Sequence, residues 1–441
     1  MKEYNPTEEE AIEIISAFDR LPLEKRLDIF RGLTALSREN LLAASRRPTE
    51  IMRRVSEEEV FYTIKQLGES DAPSIIAMTT GKQLQYIMDV DLWKKDMLDL
   101  NAASRWLNII AATGEEKILQ FVQITDTELL ITLLGKFLKI TSRDENSDLT
   151  EQLDSLPAFT LDDVFFIEFT SADTEDALKR ILESIFRWNN IFYLHLMEHL
   201  TWDNQMENEE LARKWRAARL SEKGFPEFDE VLEIYQYLHK NGIHYPGDDT
   251  LPAHEEGDTP EPLMEFPLKV LESNNLFRRS LAKTALLDER DRMSRELAHL
   301  ANKVIIADGK DPGSLEEIRA SLNKVAAYIN IALEEICDED VTNAAKILQT
   351  NHMELLFRRG FSLILDLRKE VRQFIRNYEG GVENLGNPLA GIVSGLLQKR
   401  PYYAGNVFEN QPAREFEFLQ DITSIRGMMN RQALEEKWEP M

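Results

Sequence analysis

Two stretches of the N-terminal third decide the predicted fold: "FYTIKQLGESDAPSIIAMTTGKQLQYIMDVDLW" at 61–93 and "LNIIAATGEEKILQFVQITDTELLITLLGKFL" at 107–138. When Gly68 is placed over Gly114, a shift of 46 residues, apolar residues of one stretch fall on apolar residues of the other at helical spacing. Each glycine stands where a left-handed residue would end the first helix of its copy. The aligned apolar pairs are Ile64 with Ile110, Ile75 with Phe121, Ile76 with Val122, Leu84 with Leu130 and Ile87 with Leu133.

A period in the forties is typical of helical solenoids, in which each unit buries its apolar stripe against its neighbours. Chance similarity between amphipathic helices is the alternative, because only two copies are visible. Short amphipathic segments such as 9–21 and 23–33 precede the repeat. We therefore predict an all-α fold in which residues 1–140 form a superhelical stack of short helices.

The rest of the chain is predicted to be helical with one small β element. "AFTLDDVFFIEFTS" at 158–171 has two β-rich runs around Asp162-Asp163, which predicts a hairpin. This hairpin and further helices make up a predicted domain at 141–240. Prolines, glycines and acids crowd 241–262, which predicts a linker or loop. A C-terminal helical domain is predicted at 263–441.

The charge balance limits the classes of partner. Of 441 residues, 52 are Lys or Arg and 78 are Asp or Glu, which gives a formal net charge of −26. Because nucleic acids and anionic lipids bind through basic side chains, we expect no nucleic-acid partner. A basic protein partner, or weakly bound divalent cations, fits the sign of the charge.

Cysteine usage and apolar run length indicate the compartment. Cys337 is the single cysteine, which excludes a disulfide framework within the chain. No apolar run is long enough to span a membrane, and the acidic N-terminal stretch differs from a secretory signal. We therefore expect a cytoplasmic protein that does not span a membrane.

Residues 67–93, "LGESDAPSIIAMTTGKQLQYIMDVDLW", resemble the cytosolic N domain of MgtE-type magnesium transporters, through Leu67, Asp71, Ala72, Ile75 and Ile76. The resemblance extends over about residues 20–140 and implies a right-handed superhelix of short helices. Transmembrane segments and a nucleotide-binding CBS pair, which the transporter has, are not found in this sequence, so we expect no ion transport.

The chain as a whole is similar to a bacterial family of unknown function that carries such an N-terminal part. The similarity lies in "RLSEKGFPEFDEVLEIY" at 219–235, "LANKVIIADGKDPGSLEE" at 300–317 and "LLFRRGFSLILDLR" at 355–368. It implies an architecture and no particular chemistry.

One motif suggests metal chemistry. "FYLHLMEHLTW" at 192–202 contains His195, Glu198 and His199 in the H-x-x-E-H order that some zinc peptidases use, and Glu272 is a possible third ligand. A helical wheel centred on Ile185 places His199 inside the apolar stripe, His195 at its edge and Glu198 well outside it, which favours a buried, hydrogen-bonded core histidine. We therefore assign no catalytic, cofactor-binding or metal-binding residue from the sequence.

Acidic runs are the remaining candidates for cation binding. Glu8–Glu10, Glu57–Glu59 and Glu207 with Glu209 and Glu210 could hold Mg²⁺ weakly, but glutamates also begin helices favourably. The leading hypothesis is a non-enzymatic cytosolic helical scaffold or regulatory adaptor that binds a protein partner. The alternatives are a protein that responds to divalent cations such as Mg²⁺ and a zinc metallohydrolase that uses residues 195–199.

Overall fold

The structure, a computed structural model, describes residues 8–143, 156–244, 262–283, 287–378, 385–404 and 413–438. These residues are mainly helical and contain two small sheets, so the predicted all-α class with a minor β element is confirmed. The first helices are α1 (Glu8–Asp19), α2 (Leu23–Gly32), α3 (Ala35–Ala44), α4 (Pro48–Met52), α5 (Glu57–Leu67), α6 (Pro73–Met78), α7 (Gly81–Asp91), α8 (Leu100–Thr113), α9 (Glu115–Ile124) and α10 (Thr127–Gly135).

The remaining helices follow the larger sheet in the chain. They are α11 (Ala172–Trp188), α12 (Asn190–Trp202), α13 (Gln205–Ser221), α14 (Phe228–Val231), α15 (Phe266–Lys269), α16 (Leu276–Leu281), α17 (Leu287–Ala307), α18 (Leu315–Cys337), α19 (Val341–Thr350), α20 (Met353–Asn377), α21 (Leu389–Leu396) and α22 (Leu419–Trp438). Short 3₁₀ segments lie at Glu69–Asp71, Leu232–Tyr235 and Lys240–Gly242.

The chain forms two compact units. The first comprises Met1–Glu222, Glu261–Met264 and Asp311–Leu315, and the second comprises Lys223–Pro260, Glu265–Lys310 and Glu316–Met441. Within the first unit Leu263 pairs with the segment around Val55, because Leu263 N donates to Arg54 O at 2.7 Å and Ser56 N donates to Leu263 O at 2.9 Å. The predicted domain boundaries stay a prediction, and residues 245–261 of the predicted linker lie outside the described residues.

The two copies of the 46-residue pattern have matching structures. The first copy contains α5, α6 and α7, and the second contains α8, α9 and α10. Gly68 ends α5 with φ +96° and Gly114 ends α8 with φ +117°, which are backbone conformations that favour glycine. The residues of all five aligned apolar pairs are buried. The copies differ in one place. The first copy has the 3₁₀ turn Glu69–Asp71 followed by α6, where the second copy has the single helix α9.

Charged side chains from outside the first copy cap both ends of α6. The Glu39 carboxylate accepts hydrogen bonds from Ser74 N at 2.8 Å and Ile75 N at 3.0 Å, at the amino end. The Lys117 amine donates to Thr79 O at 2.9 Å, at the carboxyl end. An anion at the first turn and a cation at the last turn both complement the helix dipole. This six-residue helix is thus held by α3 on one side and by the second copy on the other.

The predicted hairpin at 158–171 is present and belongs to a three-stranded sheet. The strands β3 (Leu138–Ser142), β4 (Phe159–Thr160) and β5 (Phe165–Phe169) pair in the antiparallel order β3-β5-β4. Asp162 forms the turn, since its Oδ1 accepts hydrogen bonds from Val164 N at 2.9 Å and Phe165 N at 2.8 Å. A second hairpin, β1 (Trp93–Lys94) with β2 (Met97–Leu98), was not predicted.

The core of the second unit lies where α18 and α20 pack together. The Tyr328 ring of α18 stacks on Phe357 at 5.2 Å and on Phe361 at 5.9 Å between ring centroids. Gly360 lies between these phenylalanines, and a Cβ on it would stand 1.9 Å from Tyr328 O. The absence of a side chain at this position is what permits the two helices to approach so closely.

None of the described helices alone is long and apolar enough to cross a membrane. One pair, α9 with α10, meets the length and composition criteria when taken together, and its two helices are bent by 116° at their junction.

Candidate functional site

The H-x-x-E-H string lies on α12, which is separated from α11 by a break in the helix at Asn189. Asn189 has φ −156° and ψ 97°, so α11 ends at Trp188 and a separate helix begins at Asn190. The Asn189 side chain caps the new helix by accepting a hydrogen bond from Phe192 N at 3.1 Å. This cap sets which residues of α12 face outward, independently of the phase of α11.

The outer face of α12 carries large apolar side chains on either side of polar ones. At 3.6 residues per turn, Ile191, His195, Glu198 and Trp202 fall within about 60° of one another on the helix. We call these four residues the docking stripe. Ile191 is 64% exposed and Trp202 is 67% exposed. The buried residues of the same helix, among them Tyr193 and Leu196, point to the opposite side and anchor it.

The predicted burial of His199 is wrong. The His199 side chain is 48% exposed, and its Nδ1 lies 2.9 Å from Asp203 Oδ2. The His195 side chain is 65% exposed, and its Nδ1 lies 3.4 Å from Glu198 Oε2. The wheel failed because it treated residues 178–199 as one helix, whereas the break at Asn189 shifts the phase.

Glu272, the possible third zinc ligand, belongs to the second unit, where its backbone N–H donates to Asn323 Oδ1 at 3.2 Å. The part of the chain that the structure describes contains no group of three or more His, Cys, Asp or Glu side chains placed to hold a metal ion.

Members of the acidic runs are engaged in ion pairs. Glu59 accepts from Arg38 at 2.6 Å, and both side chains are buried. Glu209 pairs with Lys136 at 2.9 Å, and Glu210 pairs with Arg213 at 2.9 Å. Glu57–Glu59 occupy the first turn of α5, as expected of glutamates that favour a helix start. The side chains of Glu8–Glu10 lie outside the described residues.

A buried ionic network occupies the second unit and was not predicted. Asp308 accepts hydrogen bonds from Tyr235 Oη at 2.9 Å, Lys324 Nζ at 2.9 Å and Arg400 Nε at 2.8 Å. Lys324 also lies 3.2 Å from Glu415, whose other oxygen accepts from Tyr328 Oη at 3.0 Å. The Arg400 guanidinium stacks over the Tyr235 ring at 3.8 Å.

The electrostatics of the network keep Asp308 ionised and the phenols neutral. Burial alone would raise the pKa of Asp308, but Lys324, Arg400 and the Tyr235 hydroxyl together hold that pKa below its ordinary value. Burial, reinforced by the nearby carboxylates, raises the pKa of both Tyr235 and Tyr328. Each charged group of this network already has partners, which is the pattern of a buried polar network that fixes packing.

A half-open cavity of about 400 Å³ lies beside the network. Its floor is one face of α18, including Arg319, Ala320, Asn323 and Lys324, and its walls are the segments 271–275 and 414–417. Arg414 lies in the second wall. Its guanidinium is engaged in a two-pronged ion pair with Asp421 at 2.6 and 2.8 Å, so these N–H groups do not bind a ligand in the cavity. Four glutamates, Glu272, Glu316, Glu415 and Glu417, also line the cavity.

Few features of the sequence predict this network. The network joins residues that are separated in the chain and whose types are common in solvated helices and loops, namely Tyr235, Asp308, Lys324 and Arg400. The available signal was Lys324 itself, a lysine within the apolar run of α18, where neighbouring positions such as Val325 and Tyr328 are buried. A charged residue in such a run requires a partner.

The described residues thus define an all-α protein with minor β structure, which carries an exposed apolar helix face and, in its other unit, a buried ionic network. The chain belongs to a family of unknown function, DUF6178, whose model matches residues 15–438. The prediction of membership in a family of unknown function is therefore confirmed. No curated protein and no solved structure matches the chain.

Proposed function

We propose that the protein is a non-enzymatic, cytoplasmic helical scaffold or adaptor that binds a protein partner through the docking stripe of α12. The observation that carries the proposal is the exposure of Ile191 and Trp202 on one helix face. Large aromatic side chains in water mark interaction sites, and tryptophan is enriched among the residues that dominate binding energy. An isolated exposed apolar residue would need no explanation, but two on one helical line form a surface that a partner can cover.

The charge of the chain supports a basic partner. The net charge of −26 attracts positively charged surfaces at long range, and Glu198 within the docking stripe supplies a local negative group. We infer a partner with an apolar patch bordered by Lys or Arg. The cytoplasmic location stays a proposal that rests on the presence of one cysteine, Cys337, which is buried as a free thiol.

The resemblance of about residues 20–140 to the MgtE-type N domain supports a role in binding, because stacked helices present extended surfaces. The matching caps and buried pairs of the two copies are what a repeat of that kind requires. We propose on this basis that the N-terminal third is a short superhelix.

The two alternatives have less support. For a Mg²⁺-responsive protein, the ion pairs of Glu59, Glu209 and Glu210 leave fewer carboxylates available to a hard cation. For a zinc hydrolase, three protein ligands and an enclosed site are needed, and His195 and His199 lie on an exposed face. No observation in the described residues favours either function.

The test compares the docking stripe with a matched exposed tryptophan elsewhere in the first unit. The full chain is expressed at its endogenous level as wild type, as Ile191→Asp with Trp202→Ala, and as Trp215→Ala. Trp215 on α13 is 53% exposed and lies outside the stripe. Proteins crosslinked to each chain are identified by mass spectrometry, and the recovered partner is purified for a direct affinity measurement.

We expect the stripe variant to bind the partner at least ~10-fold more weakly, since one dominant tryptophan is worth about 2 kcal/mol. Trp215→Ala should bind as the wild type does. Equal binding by all three chains would place the partner on another surface. Recovery of no specific protein by the wild-type chain would overturn the scaffold proposal itself.

A further inference from the structure

Two imidazoles lie one helical turn apart on the exposed side of α12. His195 and His199 are separated by four residues, and such side chains lie next to each other on a helix surface. Both positions are within the regular part of the helix Asn190–Trp202, and both side chains are about half exposed or more. Two histidines at this spacing on a helix can bind one metal ion from the same face.

A carboxylate lies next to each ring, and the one next to His199 is within hydrogen-bond distance. Asp203 Oδ2 lies 2.9 Å from His199 Nδ1, and Glu198 Oε2 lies 3.4 Å from His195 Nδ1. Because a carboxylate only accepts hydrogen bonds, His199 Nδ1 donates to Asp203, which leaves Nε2 as the nitrogen of this ring that can bind a metal. A carboxylate on the far nitrogen is the usual second-shell partner of a metal-binding histidine.

The carboxylate behind His199 is itself held in place. Asn208, which is buried, donates from Nδ2 to Asp203 Oδ2 at 3.3 Å, and Asp203 N donates to His199 O at 3.0 Å. Asn208, Asp203 and His199 therefore form a connected set that fixes the orientation of the imidazole.

We propose that His195 and His199 bind one divalent transition-metal ion of the zinc class through their Nε2 atoms. Imidazole nitrogens select zinc, copper and nickel over magnesium, which prefers oxygen ligands. No third side chain among the described residues joins the two histidines, so water completes the coordination in the free chain. The site is a binding site with no catalytic role, and it does not depend on the proposed partner.

The experiment uses the full chain without a histidine tag, stripped of metal and titrated with ZnCl₂ by calorimetry at low micromolar protein. We expect one equivalent of Zn²⁺ to bind, and MgCl₂ to give no binding under the same conditions. His195→Ala and His199→Ala should each lower the affinity for Zn²⁺ by ~10-fold or more, because the second ligand then no longer acts intramolecularly. Asp203→Asn keeps both ligands and should lower the affinity by about 10-fold through the loss of its support to His199.

His352 provides the matched control. It is also about half exposed, and its Nδ1 lies 3.1 Å from Glu296, but leucines occupy the positions four residues before and after it. His352→Ala should bind Zn²⁺ as the wild type does. Circular dichroism checks that each variant keeps its helical content. Zn²⁺ binding that is equal in the wild type and in the His195→Ala, His199→Ala double variant would overturn the proposal, as would the absence of binding to the wild type.

Discussion

The environment of Lys117 is unusual for a lysine. Its side chain is 5% exposed, and Nζ donates to Thr79 O at 2.9 Å, Thr79 Oγ1 at 3.0 Å and Gln120 Oε1 at 2.6 Å. All three acceptors are neutral. Burial lowers the pKa of Lys117 to about 8, and Glu116 only partly opposes this shift. The chain therefore holds a buried amine whose charge is not matched by a contacting carboxylate.

The lowered pKa of Lys117 predicts that stability rises with pH. Between pH 8 and the ordinary lysine pKa near 10.4, the unfolded chain binds a proton at this site that the folded chain does not. The free energy of unfolding of the wild type, relative to that of Lys117→Met, should therefore increase by about 2 kcal/mol from pH 7.5 to pH 9.5. Chemical denaturation of both chains at a series of pH values measures this difference.

The same series contains its own control. From pH 6 to pH 7 both states of the wild type keep the Lys117 proton, so the difference between the two chains should stay constant. A difference that is flat up to pH 9.5, or that decreases, would show that the amine is not buried as described.

The exposed position of His199 on its helix could not be predicted from the apolar pattern. The sequence placed it correctly on a helix, but the side of the helix depends on where that helix starts. Asn189 adopts an extended conformation and caps α12. Apart from the pair Asn189-Asn190, the apolar pattern of the sequence continues across this point without interruption. An asparagine pair inside a long periodic run is the signal that could have located the new start.

At the scale of elements, the contact between α18 and α20 depends on Gly360. A Cβ on Gly360 would stand 1.9 Å from Tyr328 O and 2.7 Å from the Tyr328 carbonyl carbon, both of which are backbone atoms that cannot rotate away. Gly360→Ala should therefore force the helices apart and disturb the stacking of Tyr328. We expect a loss of about 3 kcal/mol or more in the free energy of unfolding.

Gly427 in α22 is the matched control for this substitution. It is also a helical glycine, but a Cβ there would meet no atom within 4 Å. Gly427→Ala should leave stability unchanged or raise it by up to about 1 kcal/mol, because alanine has the higher helix propensity. Thermal melting of the three chains distinguishes the outcomes. Similar melting temperatures for Gly360→Ala and the wild type would contradict the close approach.

Elements were predictable from the sequence where local chemistry marks them. Gly68, Gly114 and the apolar repeat located the helices from α5 to α10, and Asp162 located the turn of the larger hairpin. The hairpin of β1 and β2 was missed because its strands have two residues each and show no alternation.

The candidate site was only partly predictable, for a physical reason. The docking stripe was within a segment that the sequence singled out, since H-x-x-E-H lies on a helix with flanking aromatic residues. The buried network could not be predicted from the sequence, because Asp308 lies 16 positions from Lys324 and 92 positions from Arg400. Long-range ion pairs leave no periodic mark in a single sequence.

At the scale of the whole molecule, the net charge of −26 is the dominant electrostatic feature. Like charges repel one another in the compact state and are farther apart in the unfolded chain, so low ionic strength should destabilise the protein. Local ion pairs such as Lys139 with Glu168 oppose this trend, but exposed pairs contribute little. Screening of the net repulsion should therefore dominate the salt dependence.

We expect the melting temperature to rise by several degrees as NaCl is raised from about 20 mM to about 300 mM, since the screening length falls several-fold over this range. A stabilisation of 1 kcal/mol corresponds to about 2–4 °C for a domain of this size. A second series at constant ionic strength replaces part of the NaCl by about 5 mM MgCl₂. If screening alone acts, the two series should coincide, because a ligand raises stability only by binding the folded state. An additional rise with MgCl₂ would favour the Mg²⁺-responsive alternative, and a melting temperature that falls with NaCl would contradict the dominance of net repulsion.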